Sequence, residues 1–494
     1  MKKWAKKLLS LALAGTMLTV PAGAVTDEGK VETWFDSVWQ LIDAYGLKAE
    51  GNPYILQNYV NKYLEDHPEE LYTVINDILS LLDTHSMYLS SEEYSIGFPT
   101  LEGFVGIGVV LEQTDAGVVI GEVLRFSSAE QAGLEAGDRI LAVDGTPAGE
   151  MTTADVAERL RGAAGTNVRM TVQRAAQTFD VVCTRSQVHQ VYVSNETMAE
   201  GVEYIKIDAI ASENDWTVFS EIWEGLDEKN TRAVILDLRD NGGGVIDVAL
   251  RMADAMTREA DTYLAGVRWR EDMGGLEPTY STGGALPLNR IVVLVNGGTA
   301  SAAELLAGSL QDTGTATLLG TQTYGKGQGQ YHIPLLSGDK LVITTLELEL
   351  PRQGSYEGIG LTPDVQLENT ETVVRAASLK PLDTTRTLRF SDRSDAVYAM
   401  TERLALLGLL DGATDRFDSD VLDAVSAFCA GWELEPALCA SPAMLSALEQ
   451  GIRRLDGQQL VPDRQLQTAL EICRLAAAEP QQYTALSDGS WRAN

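Results

Sequence analysis

Ile291-Val292-Val293-Leu294-Val295-Asn296-Gly297-Gly298-Thr299-Ala300-Ser301-Ala302-Ala303-Glu304 is the stretch that decides the fold. An apolar run ends in a glycine turn, and a helical pattern then continues to about Gln311, as expected for a buried strand feeding a helix. The same order of elements stands upstream. Ala233 to Leu238 is an apolar strand with Asp237 near its end, Arg239-Asp240-Asn241-Gly242-Gly243-Gly244 turns the chain, and Val245 to Met256 is helical. Ala316 to Leu319 is a third strand, and Lys340 to Leu350 is a long alternating one after the turn Ser337-Gly338-Asp339. Strands alternating with helices predict a mostly parallel sheet with right-handed crossovers, whose ligands sit beyond the carboxyl ends of the strands. Gly243 and Ser301 both fall at such ends, so one cleft can hold both.

Ser301 stands where free backbone N–H groups and the helix dipole favour developing negative charge. A serine hydroxyl is a weak nucleophile and needs a base. Thr323-Tyr324-Gly325-Lys326-Gly327-Gln328-Gly329-Gln330 offers one, because a lysine whose pKa is lowered by burial can take a proton. Taken singly, Ser301 reads as a helix N-cap and Lys326 as a surface lysine. Together with the glycine loop they read as chemistry.

The flanking segments are of different character. Lys2, Lys3, Lys6 and Lys7 precede an apolar stretch from Leu8 to Val20, and Ala22-Gly23-Ala24 follows, which is the pattern of a secretory leader cut after Ala24. An uncleaved N-terminal anchor is the alternative, and no later stretch is apolar enough to span a bilayer. Val31, Trp34, Phe35, Val38, Trp39, Ile42 and Tyr45 recur at helical spacing, as do Leu71, Val74, Ile75, Ile78, Leu79 and Leu82, so residues 25–92 read as packing helices. Residues 93–186 change to short strands. Phe104 to Val110 and Gly117 to Val123 are two of them, Ala132-Gly133-Leu134-Glu135-Ala136-Gly137-Asp138 leads into Arg139 to Val143, Thr153 to Arg161 is helical, and Val168 to Gln173 and Phe179 to Cys183 are strands. This segment closely resembles a PDZ domain. The resemblance implies that Val105, Gly106, Ile107 and Gly108 form a loop whose backbone N–H groups hold a peptide carboxylate while the peptide adds a strand to the sheet edge.

Met400, Leu404 and Leu407, then Leu422, Val425 and Phe428, then Leu445 and Leu448 mark short helices in residues 392–452. That segment resembles a small helical peptidoglycan-binding domain, although Cys429 stands where that family usually has glutamine. A last helix in residues 460–478 reads as packing.

A chain of 494 residues is long enough for two to four domains by the usual span of about 100–200 residues each. Its net charge of -33 argues against nucleic acid and anionic lipid as partners, and loss of the leader's lysines makes the remainder more acidic still. Cys183, Cys429, Cys439 and Cys473 are too few and too scattered for a disulfide framework or a zinc site, although Cys429 and Cys439 could pair after export.

The Thr299 to Glu304 turn, Asp237-Leu238-Arg239-x-Asn241-x-Gly243-Gly244, Tyr324-Gly325-Lys326-Gly327-x-x-Gln330 and Gly358-Ile359-Gly360-Leu361-Thr362-Pro363-Asp364 together resemble the carboxyl-terminal processing peptidases, or tail-specific proteases. The likeness covers roughly residues 28 to 370, and residues 187–372 hold the protease segment. It implies Ser301 as nucleophile, Lys326 as general base and later acid, and Gln330 as the residue that orients the lysine. The N–H groups of Ala302 and of Gly243 or Gly244 would form the oxyanion hole. Thr299 replaces a frequent serine and Gly242 a frequent proline, and neither change removes a reacting group.

The fold expected is therefore multidomain: N-terminal helices, a PDZ-like β-rich barrel domain, an α/β serine protease core with a mostly parallel sheet, and a small C-terminal α-helical domain. The activity expected is that of an exported serine endopeptidase of the cell envelope, periplasm or exterior, acting on proteins with free C-termini and needing no cofactor or metal. Peptidoglycan and a homo-oligomeric partner stay open. Gly320 to Lys326 has the outline of a phosphate loop, but Gly327 replaces the required Ser or Thr, and no helix follows. No H-E-x-x-H motif supports a zinc protease, and His67, His85, His189 and His332 bring no motif of their own. The competing class is an inactive wall- or peptide-binding scaffold.

Overall fold

The computed structural model describes residues 38, 40–47, 63, 66, 67, 70–98, 103–479 except 200, 228, 336, 371, 411, 433 and 435–438, and the pieces 483–485 and 491–493. The leader expected in residues 1–24, and the helical pattern from Val31 to Phe35, lie outside the described residues.

The central sheet is built as the sequence grammar demands. Strands β9 (Val193–Ala199), β10 (Val202–Ile207), β11 (Ala233–Asp237), β14 (Arg290–Val295), β15 (Thr317–Gly320) and β19 (Val365–Gln366) lie side by side in that order. Only the β9/β10 pair is antiparallel, and the other neighbours run parallel. Residues of β11 alternate between two cores. Val234 and Leu236 face the cluster that holds helices α4 (Glu213–Gly225), α5 (Ile246–Met256) and α6 (Ala302–Asp312), while Ala233 and Ile235 face the opposite side. A strand covered on both faces reads as a continuous apolar run for this reason.

What covers the opposite side is helix α10 (Arg464–Ala478), whose Ala469 and Cys473 pack with Ala233, Ile235, Val292 and Leu294. The helix read from sequence as simple packing is thus the rear layer of the protease sheet. Between β19 and α10 the chain leaves the core. Helices α7 (Asp395–Leu406), α8 (Ser419–Gly431) and α9 (Pro442–Arg454) enclose their own apolar cluster around Met400, Phe428 and Leu448. A two-stranded pairing of Thr372–Val373 with Gln459–Leu460 closes the neck of this excursion. The C-terminal helical module is therefore an insertion within the protease core rather than an appendix to it.

The second sheet carries β1 (Met87–Leu89), β12 (Tyr263–Trp269), β13 (Leu276–Tyr280), β16 (Gln328–Pro334), β17 (Lys340–Leu350) and β18 (Gly354–Ser355), with β17 at its centre. Residues 25–92 read from the sequence as packing helices. Helix α1 (Leu71–Leu82) follows that expectation, but Met87–Leu89 pairs antiparallel with Lys340–Val342, because an open edge of β17 supplies the ladder that local periodicity cannot reveal. Val38, Ile42, Ile75 and Leu79 bury against Ile333, Leu341 and Ile343, which fixes this segment on the protease core.

The PDZ-like segment is a sheet of β3 (Val109–Thr114), β4 (Gly117–Val123), β5 (Arg139–Val143), β6 (Asn167–Arg174) and β7 (Gln177–Thr184), in that order, beside helix α3 (Thr153–Leu160). The single strand expected over Phe104 to Val110 is broken. Strand β2 (Phe104–Gly106) pairs with β8 (Ser186–Val188), and Gly108 then turns at φ +83°, where a side chain would collide with Ser127 Cβ at 2.2 Å. Of the four residues expected as a loop, Val105 and Gly106 stand in this short strand, and Ile107 and Gly108 link it to β3.

Candidate active site

The two loops that end β11 and β14 are stitched together. Thr299 Oγ1 donates to Leu238 O (2.8 Å), Ala300 N to Asn241 O (2.9 Å) and Asp240 N to Asn296 Oδ1 (2.9 Å). Asn241 is wholly buried, and its Nδ2 donates to Ile207 O at 2.7 Å. These bonds press Gly243 onto the serine turn. A methyl group placed on Gly243 would lie 2.9 Å from Ser301 Cβ and 2.6 Å from Ala300 O, so only glycine at φ +92° fits.

Ser301 stands at φ 55°, ψ -121°, a backbone region that a side-chain-bearing residue occupies only when its surroundings hold it there. Such strain at a sharp strand-to-helix turn is how hydrolases lift a nucleophile to the head of a helix. Among the described residues, the amides of Ala302 and Gly244 have no acceptor. The Gly243 amide is already engaged, donating to Asn241 Oδ1 at 2.8 Å. Of the two glycines expected as alternative donors, Gly244 is the one whose amide is left free, and Gly243 is the one whose lack of a side chain lets the loop close on Ser301. Helix α5 begins beside it with no side-chain cap, so its N-terminal dipole is also unspent.

Glu304 joins the serine turn to the lysine loop, a role not drawn from the sequence. Its buried carboxylate accepts from Ser301 N (2.9 Å) and Lys326 N (2.8 Å) on one oxygen. The other oxygen accepts from Gly325 N (2.7 Å) and from the Thr323 hydroxyl. The signal was available as the S-x-x-E spacing from Ser301, the capping-box pattern. Tyr324 N donates to Thr299 O (3.0 Å) and Tyr356 OH to Ser301 O (3.3 Å), which closes the same junction.

The Lys326 side chain is half-buried, and that burial holds its ammonium below the ordinary lysine range, opposed by the nearby Glu357 carboxylate. Its Nζ makes no ion pair among the described residues. No hydrogen bond joins Ser301 Oγ to Lys326 Nζ, or Lys326 Nζ to Gln330; Ser301 and Lys326 are linked through their backbone amides on Glu304, and the Gln330 side chain bonds Gln328 O and Thr344 Oγ1. Catalytic hydrogen bonds commonly close only with substrate in place. Gln330 sits on β16 one strand from Thr344, after a register shift between Gly329 and Gln330.

His332 lies near the lysine but is half-buried, shares a hydrogen bond between its Nδ1 and Tyr94 OH (2.8 Å), and is pushed down to about 4 by burial and by Lys326 and Lys340. Its neutral imidazole is committed to the N-terminal segment. Among the described residues no cluster of metal-ligating groups occurs.

Comparisons with known proteins find likeness over the protease and PDZ-like segments. The family described as Peptidase family S41 has a profile that matches residues 201–367, and the PDZ domain profile matches residues 119–174. The chain is 32% identical over 321 residues to the carboxyl-terminal-processing protease of a Picosynechococcus species, covering 63% of this chain and 76% of that one. It is 29% identical over 311 residues to the carboxy-terminal-processing protease of Bartonella bacilliformis, covering 62% and 71% of the two chains. Among solved structures, the photosystem II D1 C-terminal processing protease aligns with TM-score 0.43 and 25% identity, over 69% of this chain and 94% of that one.

Proposed function

The chain belongs to peptidase family S41 and is a serine peptidase of the carboxyl-terminal-processing kind, and from that premise we propose that Ser301, Lys326 and Gln330 are its catalytic centre. The observation that carries this assignment is the Glu304 carboxylate, which holds the backbone amides of Ser301 and Lys326 on one oxygen.

Ser301 Oγ attacks the scissile carbonyl carbon as Lys326 Nζ takes its proton. The carbonyl oxygen becomes an anion held by the amides of Ala302 and Gly244, each worth roughly 3–4 kcal/mol in comparable sites. Collapse expels the amine, which receives its proton from Lys326, and leaves an acyl group on Ser301. Water then attacks the acyl carbon, Lys326 takes the water's proton, and the second collapse returns that proton to Ser301 Oγ. Gln330 holds the lysine amine in line throughout.

The PDZ-like domain, in this reading, takes the substrate's C-terminal carboxylate at Val105 to Gly108 and delivers or gates the chain. Export by the leader belongs to the same proposal, as does contact of the helical insert with peptidoglycan. Cell fractionation and co-sedimentation with peptidoglycan are their tests.

The deciding experiment is cleavage of an unfolded protein by the parent chain beside Ser301→Ala and Lys326→Ala. Activity in the parent and at least a thousandfold loss in both variants is expected. Retained hydrolysis in either variant removes that residue from the centre. Masking the substrate's C-terminal carboxylate should slow cleavage, and an unchanged rate rejects the PDZ role.

A further inference from the structure

The turn of residues 83–86, between α1 and β1, sits behind the lysine and glutamine although it is remote from them in sequence. Asp83 Oδ1 accepts from His85 N (2.7 Å), Ser86 N (2.7 Å) and Thr344 Oγ1 (2.9 Å), and its Oδ2 accepts from Ser86 Oγ (2.7 Å). Ser86 Oγ in turn accepts from Thr344 N at 2.9 Å. The turn therefore grips Thr344 at both backbone and side chain.

Proton counting gives this grip a consequence. The single proton of Thr344 Oγ1 goes to Asp83, since a carboxylate only accepts. Toward Gln330 the hydroxyl can then only accept, and it receives Gln330 Nε2 at 3.3 Å. The second hydrogen of that nitrogen goes to Gln328 O at 3.1 Å. Both donors of the Gln330 carboxamide are thereby spent, and its Oε1 is left as the acceptor available to an amine. The register shift in β16/β17 is what sets Thr344, rather than Thr345, opposite Gln330. The same turn reaches the lysine loop by a second route. His85 Nε2 donates to Glu357 Oε1 (2.9 Å), and Glu357 Oε2 accepts from Gly327 N (2.6 Å), the residue after Lys326.

We propose that Asp83 and Thr344 are positioning residues that fix the Gln330 carboxamide with its oxygen toward Lys326, so that docking of the N-terminal turn completes the catalytic centre. This rests on the assignment of Lys326 and Gln330 made above. Without the relay the carboxamide is free to turn over, and half its orientations present N–H groups to the lysine amine instead of an acceptor.

The test is a double-mutant cycle on kcat and KM with an unfolded protein substrate, using the parent, Gln330→Ala, Thr344→Val, Thr344→Ser and the double variant. Thr344→Val is expected to lower kcat about tenfold with KM unchanged, the size of one lost hydrogen bond. The double variant should be no slower than Gln330→Ala, because Thr344 acts through Gln330. Thr344→Ser keeps the hydroxyl and should recover most of the rate. Losses that multiply in the double variant, or a failure of Thr344→Ser to recover, mean that Thr344 acts by structure alone and overturn the proposal. Full activity in Thr344→Val beside a slow Gln330→Ala overturns it while leaving the catalytic assignment intact. Full activity in Gln330→Ala removes the glutamine from the centre, and this proposal with it.

Discussion

Arg239, in the loop beyond β11, and Asp463, at the start of α10, are joined by two hydrogen bonds of 2.6 and 2.9 Å although 224 residues separate them. Arg239 also forks onto Asp237, so one guanidinium fastens the glycine loop of the candidate site to the rear helix. Burial works against the Asp463 carboxylate, but Arg239 and the Leu466 amide hold it below the usual carboxylate range.

Asp463→Ala should therefore loosen α10 from the sheet. Arg239 keeps Asp237, so the cost is that of one part-exposed arm of the network, on the order of 1–2 kcal/mol. A lower thermal midpoint and faster amide exchange in α10 are the expected results. An unchanged midpoint would show that the apolar contacts of Ala469 and Cys473 suffice. Because the folded pKa of Asp463 is depressed, its contribution is complete above about pH 4 and is lost as pH falls through the folded value.

Glu304→Gln replaces an acceptor-only group with one that carries its own N–H donors. Four donors converge on the carboxylate, from Ser301, Thr323, Gly325 and Lys326. The two facing the new amide nitrogen lose their partner, at about 1–3 kcal/mol each. Both the thermal midpoint and kcat should fall, kcat by at least tenfold. Wild-type kcat in this variant would reject the junction as a catalytic support.

The pH profile reports the lysine. A general base must be neutral, so kcat/KM should rise with pH through the Lys326 pKa, which burial sets below the ordinary value of about 10.4. The charged or titratable groups around it are Glu304, Glu357, His85 and His332. Glu357 opposes the depression, so Glu357→Gln removes a negative charge and should move the rising limb to lower pH. A limb that stays in place or moves upward contradicts this.

Acid should weaken the seat of the N-terminal segment. His332 is depressed to about 4 and bonded to Tyr94 of helix α2 (Ser91–Gly97), with Phe98 against its ring. The unfolded chain binds the proton first, so stability present above pH 6.5 is lost as pH falls toward about 4. That loss is on the order of 3 kcal/mol at most. Thermal midpoints of the parent and His332→Gln, compared between pH 7 and 4.5, should converge on acidification. A constant gap would rule the histidine out as the cause.

Much of this was legible in the sequence because the parallel strands are covered on both faces. Ala233 to Leu236 and Ile291 to Val295 read as unbroken apolar runs, and their ends allowed Gly243 and Ser301 to share one cleft. What stayed hidden depended on partners distant along the chain. Nothing local marks Asp83 or His85 as neighbours of the lysine loop, since each is an ordinary turn residue until β1 docks on β17. The amphipathic pattern of α10 announced a packed helix but could not say which sheet it covers. Gly108 was readable as a strand residue until Ser127 closed over it.

The insertion of the helical module between β19 and α10 also sets the order in which a working peptidase can come into being. A nascent chain halted before Asp463 already contains Ser301, Lys326 and Gln330, yet Ile235 and Leu294 lie bare at the back and Arg239 lacks its outer anchor. The helix that seals the back of the sheet is synthesised after all three of these residues. A chain cut short inside the module would thereby carry Ser301, Lys326 and Gln330 on a sheet whose rear face has no cover.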